Sequence, residues 1–277
     1  MARWTKFSGL TTLVFGCMIL GAAARADTIL WVDDSSGNIG QVDITTQSVV
    51  AGSVHNTGLS LTDIGFNSTG TLYGTTFTGL YSINTSTGTT TSLGSYGFGG
   101  GSMNALVGSG GTNLFAASAG TNDVYEVNPG SPGTAVSTIA SPDRSAGDLA
   151  FGGSTLYESG IDAQSGLDQL VNVTKDSVVG FFKSGNTYFG NVFGLADNGT
   201  TMYAVNGTTV YSVDLSTGGL TSLFNYGGHG LSYANGTAFI NEGAPVPEPS
   251  SLLLFATALA AFWAFRGRLN VFRSRRG

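Results

Sequence analysis

Cysteine occurs once in the 277 residues, at Cys17, and histidine twice, at His55 and His229. A lone cysteine excludes an internal disulfide and any cysteine-built metal site. Two histidines, with every serine in a turn-like context, leave no Ser–His–Asp arrangement. Charged residues make up only 10% of the chain, against an ordinary share of about 25%. Between Asp27 and Glu248 three basic side chains (Arg144, Lys175, Lys183) stand against seventeen acidic ones, a formal charge of −14. So few cations exclude nucleic acid as a partner, because phosphates need clustered Lys and Arg. The same balance favours solubility outside a cell and contacts with a matrix. The glycine run Gly97–Gly101 is followed by no helix and lacks the dipole of a phosphate cradle. Asp33–Asn38 lacks the alternating acids and distal Glu of a calcium loop and reads as a hairpin turn.

Long apolar runs are confined to the two ends. Arg3 and Lys6 precede the apolar stretch Leu10–Ala23, which Ala24-Arg25-Ala26 follows. A basic start, an apolar middle and a small-x-small site make residues 1–26 a secretory signal peptide, cut after Ala26. Gly16-Cys17 is an alternative lipidation site, but Phe15 is bulky for that role and the preceding apolar run is short. Cleavage after Ala26 removes the only cysteine. Signal peptidase and the Sec export machinery are therefore the first expected partners.

Residues 244–277 form the other terminal module. Pro245, Val246, Pro247, Glu248 and Pro249 lead into the apolar run Ser250–Phe265, and Arg266, Arg268, Arg273, Arg275 and Arg276 follow without an acid among them. Prolines hold the first part extended. The run is apolar all round, so it suits a membrane better than a buried helix. At about 16 residues it is short of the roughly 20 that cross a hydrocarbon core, and Leu269, Val271 and Phe272 extend it while the arginines snorkel. Arginine at that end orients the segment outside to inside, leaving residues 27–243 outside.

Val246-Pro247-Glu248-Pro249, one short hydrophobic helix and a terminal arginine cluster together resemble the PEP-CTERM sorting signal of exported bacterial proteins. The resemblance covers residues 245–277. It implies recognition of Pro247-Glu248-Pro249 by an exosortase, which cuts nearby, and a membrane anchor that is transient. The destination it implies is the cell surface or the extracellular matrix, in bacteria that make extracellular polysaccharide. Glu248 is then a recognition residue without a catalytic part.

The body, residues 27–243, reads as one all-β unit. Short β-rich runs of four to six residues alternate with Asn-Gly, Ser-Thr-Gly and Gly-Gly turns, and no helical period of useful length occurs. An aromatic within a short strand recurs at Trp31, Tyr73, Phe115, Tyr157, Tyr203 and Phe239. Four strands per repeat of about 42 residues is the arithmetic of a propeller blade. The first copy lacks its first strand, and the last stops after Leu231–Tyr233 and Ala238–Ile240. Such complementary truncation predicts a C-terminal strand that completes the N-terminal blade. A β-propeller of about five four-stranded blades is the expected fold, with six incomplete blades, a β-solenoid or a sandwich as alternatives.

Aligning the repeats puts Asp63, Asn104, Asp148 and His229 nine to eleven residues before the repeat aromatic, at the start of each first strand. In a propeller these strands line the central channel. Two carboxylates, an amide and an imidazole around one mouth suit a divalent cation, or a general base beside a metal. The set loosely resembles the metal-centred channel of lactonase-type propellers, although no motif of that family is met residue by residue. The competing reading has Asp and Asn satisfying backbone N–H groups where the chain turns into a strand. His55 is expected on the surface. Asn67, Asn84, Asn172, Asn198, Asn206 and Asn235 begin Asn-x-Ser/Thr sequons, all but Asn172 where the repeat predicts turns.

Two functions follow as expectations. The leading one is an exported, exosortase-sorted surface or matrix protein, with a non-catalytic propeller that binds extracellular polysaccharide or surface proteins and needs no cofactor. The rival is a secreted metal-dependent hydrolase or lyase using Asp63, Asn104, Asp148 and His229.

Overall fold

The computed structural model describes residues 27–242. The expected signal peptide, the sorting motif, the membrane segment and the arginine cluster lie outside the described residues. Among the described residues no helix is long and apolar enough to cross a membrane.

The described chain is a five-bladed β-propeller of antiparallel sheets, four-stranded except in blade 1, where the short strand His55–Asn56 adds a fifth. Blade 2 runs outward through Asp63–Phe66, Leu72–Thr75, Gly79–Ile83 and Thr90–Ser95. Blade 3 repeats it with Met103–Gly108, Leu114–Ser118, Asp123–Val127 and Ala135–Ala140. Arg144–Gly152, Thr155–Ile161, Asp168–Asn172 and Ser177–Phe181 make blade 4. Val192–Asp197, Met202–Asn206, Thr209–Val213 and Leu220–Asn225 make blade 5. Between these two blades a small hairpin pairs Lys183–Ser184 with Thr187–Tyr188, which explains the longer spacing from Tyr157 to Tyr203.

Blade 1 is built from both ends of the propeller. Its inner strand, Ala234–Ala238, comes from the C-terminal end, and Ile29–Asp34, Asn38–Asp43 and Ser48–Val49 follow outward. The expected closure is thus present, but the closing strand is Ala234–Ala238 and not the two segments read from the repeat. Phe239 is therefore not a sixth repeat aromatic. Trp31 pairs with Ala238, so Trp31 is the second-strand aromatic of this blade and Phe239 follows the inner strand, as Phe66 ends its own.

Side-chain pattern follows position in the blade. Inner strands are buried on both faces, as the wholly buried Asp63–Phe66 shows, while the outermost Thr90–Ser95 is largely half-buried or exposed. Aliphatic and aromatic residues from adjacent blades merge into five clusters, one per blade interface. Trp31 meets Phe66 edge-on at 5.8 Å between blades 1 and 2, and Tyr203 meets Phe239 at 5.7 Å between blades 5 and 1. These interfaces hold the ring without disulfides, since removing a buried side chain of this size from water contributes about 1.5–3 kcal/mol.

The ends are fastened by more than strand pairing. Asp34 accepts from Ser36 and Asn38 N–H in its own hairpin and from Ser232 N–H at 2.8 Å, just ahead of the closing strand. Glu242 accepts from Asp197 N–H of blade 5 at 3.0 Å, and Asn198 Nδ2 donates to the Asp27 carbonyl at 3.1 Å. Because Ala234 lies opposite Asp34 and Ala238 opposite Trp31, Asp27 and Glu242 share one face of the ring. The inner strands begin on the other.

Candidate functional site

The strand register sets which residues share a level on the axis. Asp63 pairs with Thr75, Ala105 with Ala117, Gly194 with Val205 and Gly236 with Asp33, each partner lying two residues beyond the blade's aromatic. Asp148, one residue before Leu149, which pairs with Glu158, takes the same level in blade 4. Two aspartates and three small residues therefore form one ring. The small residues make the space: a Cβ on Gly236 would collide with the Asp63 side chain.

Both aspartates are fully buried and spend their oxygens on neighbouring strands. Asp63 Oδ2 accepts from Leu106 N–H of blade 3 at 2.5 Å, and Oδ1 from Ile64 N–H at 2.6 Å. Asp148 Oδ2 accepts from Leu195 N–H of blade 5 at 2.6 Å and from Thr237 N–H and Oγ1 of blade 1 at 3.0 and 3.1 Å. The inner strands of adjacent blades form no ladder with each other, so these carboxylates fill the role of the missing rungs. Asp33 reaches the same region from the second strand of blade 1, buried, with neither carboxyl oxygen bonded.

Burial first, and mutual repulsion second, push Asp33 and Asp63 well above the usual carboxylate range; burial also raises Asp148 and Glu242. Arg144, Lys175 and Lys183 are all exposed, so none neutralises this region. Burial likewise pushes Glu158, held by Ser141 Oγ at 2.5 Å, up to about 8, and Asp168, which accepts from Val192 N–H at 2.7 Å, up to about 6.

Of the four residues expected at one mouth, Asp63 and Asp148 come together. Asn104 stands one residue earlier than the level of its blade, which Ala105 occupies, and a bulge between Ala117 and Ser118 leaves it without a register partner. Its Nδ2 donates to the Ser145 carbonyl at 3.2 Å. His229 lies exposed in the loop before the closing strand; Gly236 takes the place expected for it. Among the described residues no group of three or more His, Cys, Asp or Glu side chains is arranged to hold a metal. Asp63 and Asp148 accept from backbone N–H groups, as the competing reading has it, whereas the Asn104 Oδ1 is buried without a partner. Of the sequons, Asn206 and Asn235 sit in strands and not in turns. His55 is half-buried in the short strand His55–Asn56.

Above the sealed carboxylates the channel opens into a cavity of about 320 Å³. All five blades contribute to its wall, among them Thr62 and Phe77 of blade 2, Asn104, Gly147, Phe193 and Asn235. Gly147 is required here: a Cβ would stand 2.8 Å from the Phe193 ring. Asn235 Nδ2 donates to the Leu61 carbonyl at 3.0 Å and Thr62 Oγ1 to the Met103 carbonyl at 3.1 Å, fixing these polar side chains on the rim. No ionisable side chain lines the cavity. Phe77 and Asn235 escaped the repeat alignment because one sits in a turn and the other in a strand whose register only ring closure defines. The exposed aromatic in an otherwise polar turn, Thr76-Phe77-Thr78, was the available signal.

Residues 245–268 match the PEP-CTERM protein-sorting motif. No curated protein matches the chain in sequence. Among solved structures, the glutaminyl cyclase of Myxococcus xanthus is 16% identical with a TM-score of 0.45, over 66% of this chain and 72% of that one. A protein of unknown function from Bacteroides caccae is 11% identical at a TM-score of 0.40, over 76% and 97% of the two chains. A chain of the nidogen/laminin complex is 13% identical at 0.45, over 76% and 98%. The motif marks the chain as an exported protein that an exosortase processes.

Proposed function

We propose that this exported, exosortase-sorted protein works at the cell surface or in the extracellular matrix, and that its propeller is a non-catalytic binding module with the channel mouth as its site. One observation carries the reading. The cavity draws its wall from all five blades and offers amides, hydroxyls and aromatic rings, while the axial carboxylates beneath it are buried and committed to backbone N–H groups. General acid–base work needs a carboxylate within reach of substrate. Asp63 and Asp148 are out of that reach and serve the ring instead.

The propeller's own geometry agrees. The mouth lies on the face opposite Asp27 and Glu242, where the propeller is joined to the rest of the chain.

The test uses the mature exported protein and matrix material from an exosortase-bearing host. Co-sedimentation with that matrix is expected, with loss on Phe77→Ala combined with Phe193→Ala and no loss on Val136→Ser, a change in an outermost strand. Release of soluble fragments from the matrix by the wild-type protein would overturn the non-catalytic assignment. For the sorting step, replacing Pro247-Glu248-Pro249 by alanines is expected to leave an uncut, membrane-retained precursor.

A further inference from the structure

We infer that the mouth face binds a neutral polysaccharide chain along a row of two adjoining cavities. This rests on the binding-module reading and adds the ligand class to it. Beside the axial cavity lies a second, of about 360 Å³, lined by Ser35, Thr208, Gly227, Leu231, Ser232 and Tyr233 among others. The segment entering the closing strand borders both: Leu231–Tyr233 wall one, and Asn235 walls the other.

Three observations select the ligand. Neither cavity has an Asp, Glu, Lys, Arg or His in its wall, so the pair offers no counter-charge to an ionic ligand. The domain around them carries three basic side chains against many acids, and its field repels anionic polymers. Each cavity has an aromatic ring held out to solvent, Phe77 at 53% and Tyr233 at 68% exposure, in a fold that buries most of its large apolar side chains. A sugar ring matches this combination. Its apolar C–H face lies against an aromatic ring, and its hydroxyls meet amide and hydroxyl groups such as those of Asn235, Thr62, Ser35 and Thr208. Isolated small apolar molecules need one pocket; two adjoining pockets, each with its own platform, suit successive residues of a chain.

A peptide partner fits less well. Extended peptides recognise a sheet edge through backbone bonds, and the propeller's edges lie at the outer strands, away from the axis.

Affinity electrophoresis and calorimetry of the mature protein with dextran, laminarin and galactomannan as neutral probes, and alginate as an anionic one, test the inference. At least one neutral polymer is expected to bind, and alginate to bind more weakly than it. Phe77→Ala and Tyr233→Ala are each expected to weaken binding about tenfold, and Val136→Ser to leave it unchanged. Since both aromatics are exposed, the variants are expected to melt at the wild-type temperature, which separates lost binding from lost fold. Failure of all neutral polymers to bind, tighter binding of alginate, or binding indifferent to both substitutions would overturn the ligand class. If neutral polymers fail while Phe77→Ala with Phe193→Ala still abolishes matrix co-sedimentation, the ligand class falls and the binding module stands. If co-sedimentation is unaffected too, both fall.

Discussion

Asp63 of blade 2 and Asp148 of blade 4 stand buried at one level on the axis, where burial first and the charge of Asp148 second push Asp63 above the usual carboxylate range. Their oxygens accept from the N–H groups of Leu106, Leu195 and Thr237. The ring is thereby tied at its centre by two side chains that bond the inner strands of the other three blades and also serve the N–H groups of Ile64 and Leu149 in their own.

Asp148→Ala is expected to lose the bonds to Leu195 and Thr237, strand buried backbone donors, and empty part of the axis. Breaking a buried network of this kind costs on the order of 3–5 kcal/mol. Chemical denaturation of the mature protein measures it, and a loss below about 1 kcal/mol would contradict the role given to Asp148.

Stability should fall as pH rises. A carboxyl whose folded pKa lies above its unfolded value stabilises the fold fully below the unfolded value, and that contribution is lost as pH climbs through the folded one. Asp168, raised to about 6, and Glu158, raised to about 8, place the loss between mildly acidic and mildly alkaline pH. The raised axial carboxyls add to it in the same direction. Melting temperature is expected to drop from pH 5 to pH 9 by on the order of 10 °C. Glu158→Gln, which cannot ionise, should flatten the curve from about pH 5 up to about pH 8; an unchanged slope would remove Glu158 from this account.

Ring closure is expected to depend on the last strand. A chain ending at Glu242 should melt cooperatively, like the processed protein. One ending at Tyr233 loses Ala234–Ala238, uncovers Trp31 and Val32, and frees Asp197 N–H from Glu242. Each uncovered large side chain forfeits about 1.5–3 kcal/mol, so circular dichroism should show no cooperative transition for the shorter chain.

Asn67 and Asn198 cap equivalent turns after the inner strands of blades 2 and 5. Asn67 Oδ1 accepts from Thr69 N–H and Oγ1 and from Thr71 N–H; Asn198 Oδ1 does the same with Thr200 and Thr201. Replacing either by Ala should cost about 1–2 kcal/mol, and the double replacement should cost the sum, because the sites share no partner. Urea denaturation of the three variants checks this.

Much of the fold was legible because it is written locally. The strands Gly79–Ile83 and Thr209–Val213 carry the same Tyr-Ser pair between aliphatic residues, and each is followed by an Asx turn, at Asn84 and Asp214. Repetition of that unit implies blades, and the missing first strand at one end with a spare one at the other implies closure. The site was less legible. Asp63 and Asp148 stood out by their distance from the repeat aromatic, but the same count misplaced Asn104, where a bulge inserts a residue, and His229, where Phe239 imitated a repeat aromatic. Asp33 was read only as part of a hairpin, since nothing in its own neighbourhood shows that Gly236 lies across from it.

What the amino-acid order settled alone was the blade, its turns and the terminal sorting motif, each set by interactions within a few residues or by a short recognisable pattern. The tertiary structure decided which side chains meet on the axis, that the carboxylates are sealed there, and that all five blades open onto one cavity walled in part by aromatic and amide groups. Those outcomes depend on register between strands far apart in the chain, where a shift of one residue turns a side chain from the channel to the interface.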